Sequence, residues 1–203
     1  TRSFAGADAV YTMVPPNFAA TAWKEWIGKI GKNYAEAIKA NQIKYVVNLS
    51  SVGAHLPDGC GPVSGLYKVE QALNTLNDVN IKHLRPTYFF DNLLANVGLA
   101  KQMDIIGSNF GGAGQKIVLA DTSDITDVAF EELSTLQFSG HSVRYIASDE
   151  RTSDEVAKII GAAISKPSLP WVVFTNEQSM AGMLQAGLPE EITKNYVEMG
   201  DAL

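Results

Sequence analysis

The chain has 203 residues, which suits one large domain, and 46% of them are hydrophobic, as in ordinary globular proteins. Acidic residues outnumber basic ones by 22 to 16, and the net charge of −6 argues against a surface for nucleic acid or for anionic membranes. Cys60 is the only cysteine, so no internal disulfide can form, and a reducing compartment such as the cytoplasm is expected.

The first ninety residues predict strands that alternate with helices. Apolar runs at residues 10–14, 45–50 and 81–86 are typical of buried strands, and prolines end the first and the third. Apolar residues at helical spacing separate these runs, at residues 23–38 and 69–76. Strand–helix–strand units of this length predict a parallel sheet with right-handed crossovers. Ligands bind such sheets beyond the carboxyl ends of the strands.

The second half predicts a smaller α+β lobe. Residues 105–120 are glycine-rich and then strand-like, which predicts a turn leading into an edge strand. Ser123 or Asp124 is the predicted N-cap of the next helix. The remaining predicted elements are strands at 142–148 and 171–175, a well-capped helix at 152–166, and two or three short helices after residue 177.

The expected domain division follows from this change of pattern. Residues 1–98 form the carboxyl-terminal part of a Rossmann-like parallel sheet domain, and residues 99–203 form the smaller lobe. Residues 143–148 are strand-like and could return to the main sheet.

Common motifs for phosphate, metal and nucleophile sites do not occur. The nearest match to a phosphate-binding loop is GGAGQK, residues 111–116, but a strand follows it, so a flexible turn is predicted. His55, His83 and His141 are far apart, which predicts structural or surface histidines and no metal site. No G-x-S-x-G elbow is present, which disfavours a hydrolase.

The stretch GPVSGLYKVEQAL places Tyr67 beside Lys68, downstream of Ser50 and Ser51. Hydride-transfer enzymes that use Ser, Tyr and Lys need the tyrosine and the lysine on one helical face, four residues apart. Adjacent residues point about 100° apart on a helix, so Tyr67 and Lys68 cannot cooperate in that way. Tyr67 is predicted chiefly to pack or to line a substrate site, while Ser51 and Tyr67 are the weak catalytic candidates.

Several stretches in chain order resemble the NmrA-like family of atypical short-chain dehydrogenase/reductases. They are GADAVYTMVPPN, VNLSSVGAH, LYKVEQAL and LRPTYFFDNLL, followed by SDITDVAFEEL, VRYIASDERTSDEVAKIIGAAI and VEMGDAL. The resemblance covers almost the whole chain, and no single motif carries it. It implies an NAD(P)-binding Rossmann fold whose first three strands and glycine-rich loop lie before Thr1.

The resemblance also implies where a cofactor and a substrate bind. The implied cofactor-binding residues follow the three strands, and they are Pro15, Pro16, Asn17, Ser50, Ser51, Pro86, Thr87, Tyr88 and Phe89. Tyr67, Phe90 and Asn92 are the expected substrate residues.

The chain departs from the family at the position of its catalytic pair. The family's active members place Lys or His four residues before a helix glutamate, which is Glu70 in this chain. Leu66 stands there in this chain, and Pro62 stands at the tyrosine position of related enzymes.

Three functions remain open on these grounds. The first is an NAD(P)H-dependent reductase of a quinone or similar small carbonyl acceptor, which can take hydride without a Tyr/Lys acid. The second is a non-catalytic NAD(P)-sensing regulator with a protein partner, which the missing Tyr/Lys pair favours. The third is a sugar-nucleotide epimerase or dehydratase, which Leu66 and Pro62 disfavour. The expected ligands are NAD(P), without a preference, and a small-molecule substrate, with no nucleic acid and no membrane.

Overall fold

The computed structural model describes residues 2–203 as an α/β fold. Its strands are β1 (Ala9–Thr12), β2 (Tyr45–Leu49), β3 (Asn80–Pro86), β4 (Tyr88–Phe89), β5 (Ile106–Ser108), β6 (Lys116–Ala120), β7 (His141–Ile146), β8 (Asp149–Thr152) and β9 (Trp171–Val173). Its α-helices are α1 (Trp23–Ala40), α2 (Pro62–Leu73), α3 (Val97–Gln102), α4 (Thr122–Thr135), α5 (Ser153–Ala163), α6 (Asn176–Gln185) and α7 (Glu190–Asp201). Short 3₁₀ helices cover Arg2–Phe4 and Phe90–Asn96.

The main sheet has four parallel strands in the order β1-β2-β3-β7. This arrangement confirms the predicted Rossmann-like parallel sheet. The final strand comes from the second half of the chain, because β7 pairs with β3 from Ile81 opposite His141 to Pro86 opposite Ile146. The predicted domain boundary at residue 98 stays a prediction, but the strand at 141–146 lies in the main sheet.

Apolar side chains cover both faces of this sheet. On one face, α1 and α2 enclose a core that includes Val46, Val69 and Ile81. On the other face, α4 covers Val47 and Leu84. The alternation of neighbours Val46 and Val47 between the two faces is the period of two that a strand imposes.

Helices α1 and α2 approach closely because glycines line their contact. A Cβ atom on Gly31 would lie 2.7 Å from Val69 Cα, and one on Gly65 would lie 2.8 Å from Ile27 Cβ. The absence of side chains at these two points therefore fixes how deeply α2 sits against α1 and the sheet.

Two small sheets form beside the main one. The order β4-β6-β8 places β6 in the centre, with β4 parallel to it and β8 antiparallel, while β5 pairs with β9. The prediction of an edge strand near residues 116–120 was therefore wrong. The partners of β6 come from both sides of it in sequence, and nothing local signals such pairing.

The helix ends follow their capping chemistry. The N-cap of α4 is Asp121, whose side chain accepts a hydrogen bond from Ser123 N, so the prediction of Ser123 or Asp124 was wrong. Thr152 and Glu155 form the predicted capping box of α5.

No helix within residues 2–203 is both long enough and apolar enough to cross a membrane.

Candidate functional site

The carboxyl edge of the main sheet brings several chain segments together. The four strands end there at Thr12, Leu49, Pro86 and Ile146. Backbone pairing continues one step past the strands, because Val52 N donates to Pro86 O at 2.9 Å and Thr87 N donates to Ile146 O at 3.0 Å. Parallel α/β sheets bind ligands beyond this edge.

The residues that the sequence predicted for cofactor binding lie along this edge. Those of the first segment, Pro15, Pro16 and Asn17, lie in the loop between β1 and α1. Ser50 and Ser51 directly follow β2, and Pro86, Thr87, Tyr88 and Phe89 span the end of β3 and all of β4. The two prolines are exposed. Three loops separated in sequence thus meet at one place, although their role in binding stays a prediction.

The hydroxyl of Ser50 already has a partner within the protein. It is buried and donates a 2.5 Å hydrogen bond to Glu70 Oε1. Glu70 in turn forms a buried ion pair with Arg85, with Nη2 at 2.6 Å from Oε2 and Nε at 3.0 Å from Oε1. Arg85 also donates to the hydroxyl of Tyr145 at 3.0 Å. Ser50 therefore belongs to a structural network that joins β2, α2, β3 and β7.

Ser51 and Thr87 have hydroxyls with no partner among residues 2–203. Thr87 Oγ1 is fully buried, and no hydrogen bond satisfies it. The Ser51 side chain is half-buried and makes no hydrogen bond to another described residue. A buried unpaired hydroxyl costs about 1–3 kcal/mol unless a water or a ligand supplies the missing bond. Within residues 2–203, Thr87 Oγ1 shares this state with Trp23 Nε1, Ser142 Oγ, Thr193 Oγ1 and Asn195 Oδ1.

A second polar chain crosses the same end of the sheet. Thr12 Oγ1 donates to Asn48 Oδ1 at 2.9 Å, Asn48 Nδ2 lies 3.1 Å from His83 Nδ1, and His83 Nε2 lies 3.0 Å from Asn74 Oδ1. These partners assign a neutral His83 with its proton on Nε2. Burial lowers the pKa of His83 to about 4, because it outweighs the attraction of the Glu70 carboxylate. His83 is a structural histidine, as the sequence predicted.

The structure separates Tyr67 from Lys68. Lys68 Nζ forms an ion pair with Glu25 of α1. Tyr67 instead lines a groove of about 260 Å³ between α2 and β7, together with His55, Gln71 and Val143 among others. The divergence that helix geometry predicted therefore occurs.

The other expected substrate residues lie apart from this groove. Phe90 is half-buried and packs against the cluster of Phe110, Ile117, Leu119 and Val156. Asn92 is exposed in the 3₁₀ helix that follows β4. The structure does not bring Tyr67, Phe90 and Asn92 to one lining, and their substrate role stays a prediction.

Aromatic rings from distant segments surround the carboxyl edge. Phe18, in the loop after β1, lies 6.1 Å from Trp23, and Trp23 meets Tyr196 of α7 edge-on at 5.5 Å. On the other side of the edge, the Tyr88 ring lies 5.4 Å from that of Phe110. Burial, and to a lesser degree the nearby Tyr196, raises the pKa of Tyr88 to about 12. Sequence reasoning missed Tyr196, because no local pattern shows that α7 returns to this edge.

Helix α7 is fastened to the amino ends of α1 and α2. Glu191 accepts a 2.8 Å hydrogen bond from Trp23 N, and Glu198 pairs with Lys24 at 2.7 Å. Gly61 precedes α2 at a φ of +55°, and a Cβ there would lie 2.0 Å from Asn195 O. Only glycine permits this approach. These contacts attach α7 to the starts of α1 and α2, and the Tyr196 ring packs on Trp23 there.

The GGAGQK stretch satisfies its own amides. Gln115 Oε1 accepts hydrogen bonds from Gly111 N at 2.9 Å and Gly112 N at 3.1 Å. The amides of these two glycines are therefore engaged within the turn, as expected for a turn rather than an anion site.

Within residues 2–203, no group of three His, Cys, Asp or Glu side chains is placed to hold a metal ion.

Comparison with solved structures identifies the fold. No family model matches the chain, and no curated protein matches it at the level of sequence. The NADPH-dependent quinone oxidoreductase QOR2 from Escherichia coli, complexed with NADPH, superposes with a TM-score of 0.78 at 17% identity, over 98% of this chain and 69% of that one. The triphenylmethane reductase of Citrobacter sp., complexed with NADP(H), gives a TM-score of 0.77 at 18% identity, over 99% and 68% of the two chains.

A third similar structure is a nucleoside-diphosphate-sugar epimerase from Staphylococcus aureus. It gives a TM-score of 0.77 at 14% identity, over 98% of this chain and 68% of that one. The chain thus has the Rossmann-like α/β fold that two reductases and an epimerase share. At such identities the likeness establishes the fold, and the chemistry has to be argued from the residues of the edge.

Proposed function

We propose that the protein is an NAD(P)H-dependent reductase of a quinone or a similar small carbonyl acceptor. Two of the structures it resembles are a quinone oxidoreductase and a dye reductase that were solved with NADPH and NADP(H). The observation that carries the proposal is the buried, unpaired hydroxyl of Thr87 at the carboxyl edge of the sheet.

The residues of the edge fit the nicotinamide half of the cofactor. The nicotinamide carboxamide has both a donor and an acceptor, so it can supply the hydrogen bond that Thr87 Oγ1 lacks once a side-chain movement opens the enclosed hydroxyl to the ligand. When bound, the reduced cofactor supplies the hydride. The described residues provide no binding loop for the pyrophosphate half, because no glycine-rich loop joins a strand to a following helix within residues 2–203. Residues are therefore assigned here to the nicotinamide side alone.

The acceptor is inferred from the acid–base pair that α2 lacks and from the aromatic rings at the edge. Leu66 occupies the position of the expected acid, is half-buried and packs against the apolar core around Val69. The chain therefore offers no Tyr/Lys pair on α2. A quinone is a strong hydride acceptor and has less need of such a pair than an aliphatic ketone or a sugar. The aromatic rings of Phe18 and Tyr88 suit a flat acceptor.

The second candidate is a nucleotide sensor in which the cofactor binds and nothing is reduced. Leu66 also favours this candidate, because an apolar side chain at that point cannot move a proton. The two candidates share the same cofactor site and differ only in turnover. An epimerase or dehydratase is the weakest candidate, since its chemistry depends on the acid–base pair that α2 lacks.

Replacing Thr87 with valine should weaken the binding of reduced cofactor about 5- to 10-fold, the equivalent of one hydrogen bond. Valine keeps the shape of threonine and removes a hydroxyl that has no partner in the protein. The free energy of unfolding should therefore stay the same or rise. Titration of NADPH and of NADH, followed by the fluorescence of the nicotinamide, measures the affinity of each variant.

Thr12→Val is the matched control, because Thr12 Oγ1 is buried but already bonded to Asn48 at 2.9 Å. The control should lose about 1 kcal/mol of stability and keep its cofactor affinity. Equal affinities for the wild type and Thr87→Val would show that Thr87 does not contact the nicotinamide.

A further inference from the structure

We propose that the hydroxyl of Tyr196 donates a hydrogen bond to the acceptor's carbonyl oxygen and acts as the acid that α2 does not supply. The inference rests on the proposed reductase function, and it assigns the proton-donating residue of the same site. Tyr196 lies on α7, about 130 positions after the helix where the sequence places such a group.

The position of Tyr196 supports this role. Its ring meets Trp23 at 5.5 Å, and Trp23 in turn contacts Phe18 in the loop after β1. Tyr196 therefore lies beside the segment after β1 that is expected to border the nicotinamide. Burial raises the pKa of Tyr88, and the smaller electrostatic effect of Tyr196, which raises it further, agrees with this position.

The hydroxyl of Tyr196 is available to a ligand. It makes no hydrogen bond to another residue among those described, and it is not one of the fully buried unpaired atoms, so it opens to solvent-accessible space. Two other tyrosine hydroxyls are engaged, since Tyr34 donates to Met13 O and Tyr145 accepts from Arg85. The hydroxyl of Tyr88 makes no hydrogen bond within residues 2–203, and Tyr88 is therefore the competing donor at this edge. Burial raises the pKa of Tyr196, so the phenol stays protonated at neutral pH.

The anchoring of α7 gives this hydroxyl a defined place. Glu191 and Glu198 bond to Trp23 and Lys24 at the start of α1, and Asn195 O lies against Gly61 at the start of α2. Tyr196 belongs to the same turn of helix as Asn195 and Glu198. A donor that is fixed before the acceptor arrives stabilises developing negative charge without a cost of reorganisation.

The chemical step balances with one proton and one hydride. The C–H bond at C4 of the reduced nicotinamide would break and its hydride would bond to one oxygen of the quinone. The opposite oxygen, which becomes an oxyanion, would take the proton from the Tyr196 hydroxyl. The phenolate that remains recovers a proton from water. The net reaction is NAD(P)H plus a quinone plus one proton, giving NAD(P)⁺ and a hydroquinone.

Tyr196→Phe provides the test, with a spectroscopic measurement beside the kinetic one. In the complex with oxidised cofactor and a ¹³C-carbonyl-labelled benzoquinone no hydride is available, so the infrared carbonyl stretch of the bound quinone can be recorded. We expect this band at lower frequency in the wild type than in Tyr196→Phe. We also expect Tyr196→Phe to lower kcat about 10- to 100-fold, with little change in cofactor affinity.

Tyr45→Phe is the control, since Tyr45 begins β2 at the opposite, amino edge of the sheet and its ring packs on Phe138. It should change neither the band nor kcat. A wild-type protein that oxidises reduced cofactor with a quinone while Tyr196→Phe keeps its rate and band would overturn the role of Tyr196 alone. A shift caused by Tyr88→Phe instead would assign the donor to Tyr88. A wild type that neither binds nor reduces any quinone would overturn both this inference and the reductase function.

Discussion

Glu70→Ala should lower the free energy of unfolding by about 3–5 kcal/mol, the range measured when one partner of a buried ion pair is removed. Glu70 is 3% exposed and Arg85 is 8% exposed, so the guanidinium would be left charged and enclosed. The same substitution removes the acceptor of the 2.5 Å hydrogen bond from Ser50. Equilibrium unfolding in urea at pH 7 measures the loss.

Two further variants test the physical reason for this loss. The double variant Glu70→Leu/Arg85→Leu should be more stable than Glu70→Ala, because it leaves no buried charge without a partner. Glu150→Ala breaks the surface pair with Lys116, whose side chains are 49% and 64% exposed, and should cost less than about 1 kcal/mol. Similar losses for Glu150→Ala and Glu70→Ala would contradict the role given to burial.

Acidification from pH 6.5 to pH 4 should destabilise the protein by up to about 3 kcal/mol through His83 alone. Burial lowers the pKa of His83 to about 4 in the folded protein, whereas a histidine in the unfolded chain titrates near its ordinary value of 6.5. The stabilisation by neutral His83 is therefore fully present above pH 6.5. It falls as the unfolded chain takes up a proton that the folded protein does not, and it is lost once the pH passes below 4.

The free energy of unfolding, measured between pH 7.5 and pH 4 for the wild type and for His83→Gln, separates this effect from other titrations. The variant keeps every other ionisable group, so the difference between the two curves reports His83. We expect the variant to be less stable at pH 7 and its curve to converge on that of the wild type as the pH falls. Parallel curves would mean that His83 does not hold its neutral form in the folded protein.

Much of the main sheet could be predicted from the sequence because its signals are local. The apolar runs at residues 45–50 and 81–86 became β2 and β3 with end shifts of one residue. Prolines and helical spacing predicted the crossovers, and the order of elements predicted parallel pairing. The incompatible directions of Tyr67 and Lys68 also followed from helix geometry.

The features that the sequence did not predict depend on contacts between distant residues. The central place of β6 requires pairing with both β4 and β8. The hydrogen bond from Ser50 to Glu70 depends on how closely α2 packs against α1, and the glycines at the contact of the two helices determine that distance. Tyr196 reaches the edge only because α7 packs against the start of α1. This contact joins Glu191 and Trp23, which are 168 positions apart in the sequence. No periodicity within α7 encodes that partner.

The rate at which the protein oxidises NADPH and NADH in the presence of benzoquinones and naphthoquinones tests the central claim most directly. Absorbance of the reduced nicotinamide follows the reaction, with blanks that lack protein or quinone. Turnover well above both blanks, reduced in Tyr196→Phe and Thr87→Val but not in Tyr45→Phe, is the predicted result. Tight cofactor binding without oxidation by any quinone would contradict the reductase function and favour the nucleotide sensor.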